Sequence, residues 1–157
     1  MNEIEILQKI EKKVLWLACW MIHNANHIRE NQDGLKVGGH QASSASIVSI
    51  MTALYFNILR PEDRVAVKPH ASPVFHAIQY LSGLQTKEKI ENFRGFGGAQ
   101  SYPSRTKDID DVDISTGSVG LGVAMTSFIS LIQDYIARKK FYKNKPLGRM
   151  IALVGDA

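Results

Sequence analysis

The stretch "RMIALVGDA", residues 149–157, indicates the class of the fold. Its apolar residues fall on both faces of an extended chain between turn-forming residues, which is typical of a central strand in a parallel sheet. "DRVAVKPH", residues 63–70, predicts a second short buried strand over residues 65–67. Strands that alternate with helical segments predict an α/β fold, a parallel sheet flanked by helices, which this sequence cuts off at a central strand.

Apolar residues recur at helical spacing in the remaining segments. The predicted helices cover residues 2–30, 42–58, 72–83, 86–94 and 117–140. Hydroxyl side chains are expected to cap three of them: Ser43 or Ser44 the second, Ser72 the third and Thr86 the fourth. The glycine-rich and then acidic stretch 95–113 has no periodicity, and a loop this long inside a compact domain is usually functional.

The composition narrows the class of protein. The 157 residues are enough for one domain, and no apolar run approaches the length needed to cross a membrane. The amino terminus lacks the apolar region of a secretory signal, and the single cysteine, Cys19, is expected to be a buried thiol, so we expect a cytoplasmic protein. Much of the net charge of +4 collects in residues 138–149, where the cations fit a helix end and a solvated loop better than a nucleic-acid site.

The five histidines differ in what their positions indicate. His23 and His27 have the i, i+4 spacing of a zinc site, but no third ligand is identifiable, so a solvated or packing role is expected. His76 lies inside the third predicted helix and is expected to be a partly buried packing residue. His40 and His70 each precede a helix, and a side chain at the carboxyl end of a parallel strand faces the usual ligand crevice. On position alone, a functional role and a packing role stay open for these two.

Three further stretches carry residues that bind phosphate or metal in proteins. "STGSVGLG", residues 115–122, places glycines before a helix, which fits either a bound phosphate or close packing of that helix. Asp156 follows a glycine at the end of a predicted strand, where a magnesium-binding carboxylate or an ordinary turn would be found. "DIDDVD", residues 108–113, fails the calcium-loop pattern and is expected to be a solvated acidic loop.

In their order and spacing, five stretches resemble the thiamine-diphosphate-dependent transketolase family, and most of all its homodimeric pyruvate dehydrogenase E1 type. They are "GGHQASSAS" (38–46), "VAVKPHASPVFHAIQYLSG" (65–83), "ENFRGFGGAQSYPS" (91–104), "STGSVGLGVA" (115–124) and "ALVGDA" (152–157). The resemblance implies a partial thiamine-diphosphate-binding fold. Residues 1–37 would form an amino-terminal helix and loop, and residues 38–157 the incomplete amino-terminal part of the diphosphate-binding domain. We therefore expect an amino-terminal fragment that is inactive alone.

The resemblance also implies the members of a site. His40, His70 and Tyr102 match catalytic residues. The matches to cofactor-binding positions are His70, Gly117, Ser118, Val119, Asp156 and Ala157. Asp156 matches the first Mg²⁺ ligand of the family's cofactor motif. Two residues depart from the family, because Pro69 and Ala157 stand where it has glycine.

The function implied by the resemblance is that of a thiamine-diphosphate- and Mg²⁺-dependent oxidoreductase, a 2-oxo acid dehydrogenase of the pyruvate dehydrogenase E1 type. It would decarboxylate a small-molecule 2-oxo acid as a homodimer, with a lipoyl-bearing acyltransferase left open as a partner and with neither nucleic acid nor membrane. No histidine follows His76, whereas sugar transketolases carry one near the position of "SYPSR" (101–105), which favours the 2-oxo acid. A transketolase acting on sugar phosphates and a non-catalytic diphosphate-binding module stay as alternatives.

Overall fold

The computed structural model of the chain describes residues 2–30, 34–118, 120–141 and 146–155. Its elements, in chain order, are α1 (Glu3–His23), α2 (Gln41–Ala45), α3 (Val48–Ala53), β1 (Arg64–Ala66), α4 (Ser72–Leu81), α5 (Lys87–Glu91), α6 (Leu121–Arg138) and β2 (Met150–Ala152). Short π-helical turns extend α1 over Asn24–Ile28 and α3 over Leu54–Ile58, and a 3-10 turn, Pro69–Ala71, leads into α4. Among the residues described, none of the helices has the length and apolar character needed to span a bilayer.

The two strands form a parallel pair, with Val65 opposite Ile151. This confirms the predicted α/β class at the level of a small parallel sheet with helices, although each strand has only three residues. The pairing continues beyond β2, because the Leu153 N–H donates to the Ala66 carbonyl at 2.9 Å. Helix α6 packs against both strands. β2 is half-buried in the described structure, whereas its sequence predicted a strand covered on both faces.

The core lies between α1, α3 and α4, and α4 is its central element. Residues 72–79 of α4 are buried without interruption. A helix that is covered on every side must pack against several neighbours at once. The apolar cluster around α4 includes Val14 and Met21 of α1, Met51 of α3, and Phe75 and Ile78 of α4 itself. The short turn that precedes α4 is therefore attached to a helix that the core encloses.

Two of the predicted serine caps are wrong. α2 has no side-chain cap, and the Ser44 hydroxyl instead donates to the His70 carbonyl at 3.4 Å. α4 begins at Ser72, whose hydroxyl donates to the Ser101 carbonyl at 2.5 Å. In both cases a buried hydroxyl has a carbonyl acceptor from a distant segment, which outweighs a local capping bond. The Thr86 cap is confirmed, since its hydroxyl accepts a hydrogen bond from the amide three residues later.

Other predicted elements change in their bounds. The helix expected over residues 42–58 is interrupted at Ile47, whose φ of −115° and ψ of 0° lie outside the helical region. The last helix begins at Leu121 because Gly120 has a φ of 82°, the left-handed conformation that favours glycine. Cys19, expected to be buried, is half-buried on α1.

A buried carboxylate ties together the amino ends of the two strands. Asp63 precedes β1 and accepts hydrogen bonds from the Arg149 backbone N–H at 2.7 Å, from the Arg149 guanidinium Nε at 3.1 Å, and from the Arg60 N–H at 2.9 Å. The Arg64 N–H donates to the Arg149 carbonyl at 2.9 Å, which adds a backbone bond at the same end. The guanidinium hydrogen bonds, more than any other cause, hold the pKa of Asp63 well below its usual range.

We expect Asp63→Asn to lower the unfolding free energy at neutral pH by roughly 2 kcal/mol, the scale for removing the charged acceptor of buried hydrogen bonds. The pKa of Asp63 is lower in the folded than in the unfolded chain. Its stabilisation is therefore complete above about pH 4 and is lost as the pH falls further. Urea unfolding of both proteins between neutral pH and about pH 2 measures this difference.

The matched control for this prediction is Glu62→Gln, which neutralises the neighbouring carboxylate. We expect it to leave the unfolding free energy nearly unchanged. An equal loss in the two variants would show that Asp63 does not hold the strands together.

Candidate active site

The carboxyl ends of both strands open into a cavity of about 340 Å³. Residues 67–70, which follow β1, and residues 153–155, which follow β2, line one side. The glycine-rich segment that leads into α6 and two serines, Ser43 and Ser46, line the rest. In open parallel sheets, ligands bind in the crevice outside the carboxyl ends of the strands, and this cavity occupies that position.

The structure brings together five of the residues that the resemblance singled out. His70, Gly117 and Ser118 line the cavity directly. The His40 and His70 rings form an edge-type contact with a centroid distance of 5.9 Å, and the Tyr102 ring centroid lies 6.2 Å from that of His70. The His70 ring therefore contacts rings from two other segments of the chain. Both His40 and His70 are exposed.

Three predicted site residues, Val119, Asp156 and Ala157, lie outside the described residues. Their proposed roles in cofactor and metal binding stay predictions from the sequence. Gly155, the last described residue, lines the cavity.

Two glycines, Gly117 before α6 and Gly122 in its first turn, are needed for different structural reasons. A Cβ atom added at Gly122 would lie 3.2 Å from the Ala66 Cβ, so this glycine allows α6 to pack closely on β1. Gly117 is different, because an added Cβ would meet the Tyr102 ring at 3.5 Å, an ordinary contact distance. Close helix packing therefore explains Gly122, whereas Gly117 borders the cavity and the tyrosine.

The backbone that carries His40 is held by a close approach and by an arginine. A Cβ atom at Gly38 would lie only 2.4 Å from the Ile22 carbonyl oxygen, so no larger residue fits there. The Arg94 guanidinium donates to the Val37 carbonyl at 2.6 Å. Sequence reasoning missed Arg94, because nothing local links it to a loop 57 positions away.

The cavity has the electrostatic character of an anion site. Lys68 and His70 line it, and none of the described lining residues carries a carboxylate. The Lys68 ammonium lies 3.0 Å from the point where a Cβ at Gly155 would sit. The amino terminus of the 18-residue α6 faces the same space without a side-chain cap, so its N–H groups and dipole also favour an anion. Lys68 was missed in the sequence, although its position directly before Pro69 and His70 was a usable signal.

The acidic segment 108–113 is not the solvated loop that the sequence predicted. Asp110 is buried against His76 Nδ1 at 2.6 Å, and Asp113 accepts a hydrogen bond from the Val65 N–H at 2.9 Å. Burial raises the pKa of Asp113 above its ordinary value. The prediction was wrong because these carboxylates form hydrogen bonds with groups that other segments of the chain bring into the interior. His76, expected to be partly buried, is completely buried.

His76, Asp108 and Asp110 bring their ligand atoms within 4.8 Å of one another, as a metal site would. These atoms already have hydrogen-bond partners. His76 Nε2 lies 2.9 Å from the Gln100 carbonyl oxygen, and Asp108 accepts from the Gln100 N–H at 2.9 Å and the Ser104 N–H at 2.8 Å. A metal ion would have to displace this network, so we interpret the three residues as a hydrogen-bonded cluster.

Comparison with known proteins gives a consistent set of relatives. The chain is 31% identical over 134 residues to the pyruvate dehydrogenase E1 component of Mycobacterium tuberculosis, covering 78% of this chain. It is 28% identical over 164 residues to the pyruvate dehydrogenase E1 component of Escherichia coli, covering 99% of this chain. The chain is similar to pyruvate dehydrogenase E1 components. The aligned part is 14% of the first E1 component and 18% of the second, so the chain spans less than a fifth of these relatives. No protein-family profile matches it.

We expect Gly122→Leu to destabilise the protein by about 1–3 kcal/mol, the usual cost of overpacking a close contact. The new side chain would have to separate α6 from β1, since the Ala66 Cβ already limits the space. Urea unfolding measures the loss. Ala124→Leu, an exposed small residue on the same helix, is the control and should change the unfolding free energy much less. Equal losses would contradict the packing role of Gly122.

Proposed function

We propose that the chain forms part of a thiamine-diphosphate- and Mg²⁺-dependent 2-oxo acid dehydrogenase of the pyruvate dehydrogenase E1 type. The observation that carries the proposal is the cavity at the carboxyl edge of the sheet. His70, Gly117 and Ser118 line it, and the rings of His40 and Tyr102 lie against His70. The similarity to pyruvate dehydrogenase E1 components over most of the chain supports the same assignment.

The described residues fit the diphosphate end of such a cofactor. A diphosphate needs cationic groups and free N–H donors, and it is repelled by carboxylates. Lys68 supplies a cationic group, His70 supplies an imidazole, and the amino terminus of α6 supplies N–H donors. The described lining carries no carboxylate. In our proposal these groups and Ser118 hold the diphosphate, and Asp156 is the first Mg²⁺ ligand.

The chemistry divides between cofactor and protein. When bound, thiamine diphosphate supplies a ring that accepts the electron pair released by decarboxylation. His40 and His70 offer exposed imidazoles, the side chain best able to exchange protons near neutral pH. Tyr102 is half-buried beside His70, where its hydroxyl can orient a substrate carboxylate or carbonyl.

The wider assignments are part of the same proposal. We propose a homodimeric, cytoplasmic enzyme, with a lipoyl-bearing acyltransferase as the acceptor of the acyl group. A transketolase acting on sugar phosphates is the second candidate from the sequence. Residues 101–105, where sugar transketolases would carry a further histidine, contain none, and this disfavours it.

The first test concerns cofactor binding by the full-length gene product. We expect thiamine diphosphate to bind only with Mg²⁺, and Asp156→Ala to abolish this metal-dependent binding, because the metal would lose a charged ligand. Isothermal titration calorimetry with and without Mg²⁺ measures the effect. Asp134→Ala removes an exposed carboxylate on α6 and serves as the control. An unchanged dissociation constant in Asp156→Ala would refute the ligand assignment.

The second test separates chemistry from binding. We expect His40→Ala to lower kcat for a 2-oxo acid by about 100-fold or more, the scale of general acid–base catalysis, with a much smaller change in cofactor affinity. Steady-state kinetics with pyruvate and other 2-oxo acids, beside sugar phosphates, gives kcat for each substrate class. His23→Ala, another exposed histidine, is the control. Turnover of sugar phosphates alone would favour the transketolase alternative.

A further inference from the structure

His76 is a buried histidine whose two ring nitrogens both face oxygen atoms. Nδ1 lies 2.6 Å from an Asp110 carboxylate oxygen, and Nε2 lies 2.9 Å from the Gln100 backbone carbonyl oxygen. The edges of the Phe75 and Phe93 rings enclose it, with centroid distances of 5.6 and 5.9 Å. A carbonyl oxygen can only accept, so Nε2 must carry a proton.

A neighbouring amide fixes which oxygen of Asp110 faces His76. The Gln85 carbonyl oxygen Oε1 accepts a hydrogen bond from the Thr86 N–H at 2.9 Å, which sets the orientation of the Gln85 side chain. Its NH₂ group therefore faces Asp110 and donates to Oδ1. The other carboxylate oxygen of Asp110, Oδ2, faces His76 Nδ1. Asp110 therefore bridges Gln85 and His76, and one proton lies between Asp110 Oδ2 and His76 Nδ1.

This hydrogen-bonded pair lies next to the backbone that carries Tyr102. His76 binds the carbonyl two residues before the tyrosine, and the Ser72 hydroxyl binds the carbonyl of Ser101. Asp108, which belongs to the same cluster, accepts from the amides of residues 100 and 104 on either side. The segment that presents Tyr102 is thus fixed at both flanks, to α4 and to the acidic segment 108–113.

The same helix connects this cluster to the cavity. His70 lies in the turn Pro69–Ala71 that leads directly into α4, and His76 lies within α4, where it is fully buried. Tyr102 contacts His70 on one side and faces Gly117 on the other. These bonds therefore fix the Tyr102 backbone relative to the turn that carries His70.

We propose that His76, held by its hydrogen bond to Asp110, is a positioning residue that sets Tyr102 against His70. The role of the pair in turnover rests on the proposed function, but the positioning does not. Among the described residues, Asp110 and Asp108 bring carboxylate oxygens close to the His76 ring nitrogens. Neither carboxylate lines the cavity.

The first experiment uses the unmodified full-length gene product. In nitrogen-15 NMR of histidine-labelled protein, the signals that are lost in His76→Gln assign His76, and its Nε2 should carry a slowly exchanging proton, as the contact with the Gln100 carbonyl oxygen requires. Asp110→Asn should make this proton exchange faster, because the ring loses the acidic partner that holds it. A His76 ring without a proton on Nε2 in the unmodified protein would overturn the proposal.

The second experiment tests positioning. With 3-fluorotyrosine incorporated and Tyr102 assigned through Tyr102→Phe, His70→Gln should shift the fluorine signal of Tyr102. In the Asp110→Asn background this response should be lost, because the ring would no longer be set against position 70. Glu91→Gln converts the carboxylate of an exposed ion pair with Lys87 to the same amide, and it should leave the response intact. A response that persists unchanged in Asp110→Asn would overturn the positioning role.

The kinetic readout separates this inference from the proposed function. If the protein turns over a 2-oxo acid, Asp110→Asn should lower kcat by about 10- to 100-fold, the scale of a misplaced active-site group, with an unchanged dissociation constant for thiamine diphosphate. A parallel loss of cofactor affinity would indicate general collapse of the site and would contradict positioning. If no 2-oxo acid is turned over, the proposed function fails, while the two NMR experiments still decide the role of His76.

Discussion

The parallel pairing of β1 and β2 at a fixed register is the constraint on which the rest of the structure depends. Asp63 sets that register by binding both the backbone and the guanidinium of Arg149 at the amino ends of the strands. Two parallel strands held in register at one end must deliver their following residues to the same place at the other end. That place is the cavity, to which β1 contributes Lys68 and His70 and β2 contributes residues 153–155.

Helix α4 connects the cavity to the long loop formed by residues 95–113. Because its residues 72–79 are buried without interruption, it cannot shift without disturbing the core around Phe75. It begins just after His70, which belongs to the cavity, and it carries His76, which binds the loop that bears Tyr102. A loop of this length would ordinarily be a mobile part of a small domain. Here hydrogen bonds from His76 and Ser72 of α4, and from the loop's own amides to Asp108, hold its backbone in place.

Local sequence patterns predicted the helices and strands well, but they could not predict polar pairs between residues far apart in the chain. Apolar runs between turn residues identified both strands, helical spacing identified α4, and a hydroxyl residue before a helix identified the Thr86 cap, since these signals depend on neighbours in the sequence. The pairs His76–Asp110 and Asp63–Arg149 join residues 34 and 86 positions apart, and no periodicity connects them. The acidic segment 108–113 was misjudged for the same reason. The composition of a loop indicates solvent exposure, but the backbone donors that need a buried acceptor become visible only in three dimensions.

The turn at Pro69 shows how a departure from the resembled family can be accommodated chemically. Where the family has glycine, proline removes a backbone N–H that could face an anion. Its fixed φ fits the start of the 3-10 turn, which is closed by the Ala71 N–H donating to the Lys68 carbonyl at 2.9 Å. That turn leaves the Lys68 side chain lining the same cavity. An ammonium group reaches an anion from a longer distance than a backbone amide and tolerates more variation in its position. Pro69 therefore offers the cavity no backbone N–H, while Lys68 beside it supplies a charged donor.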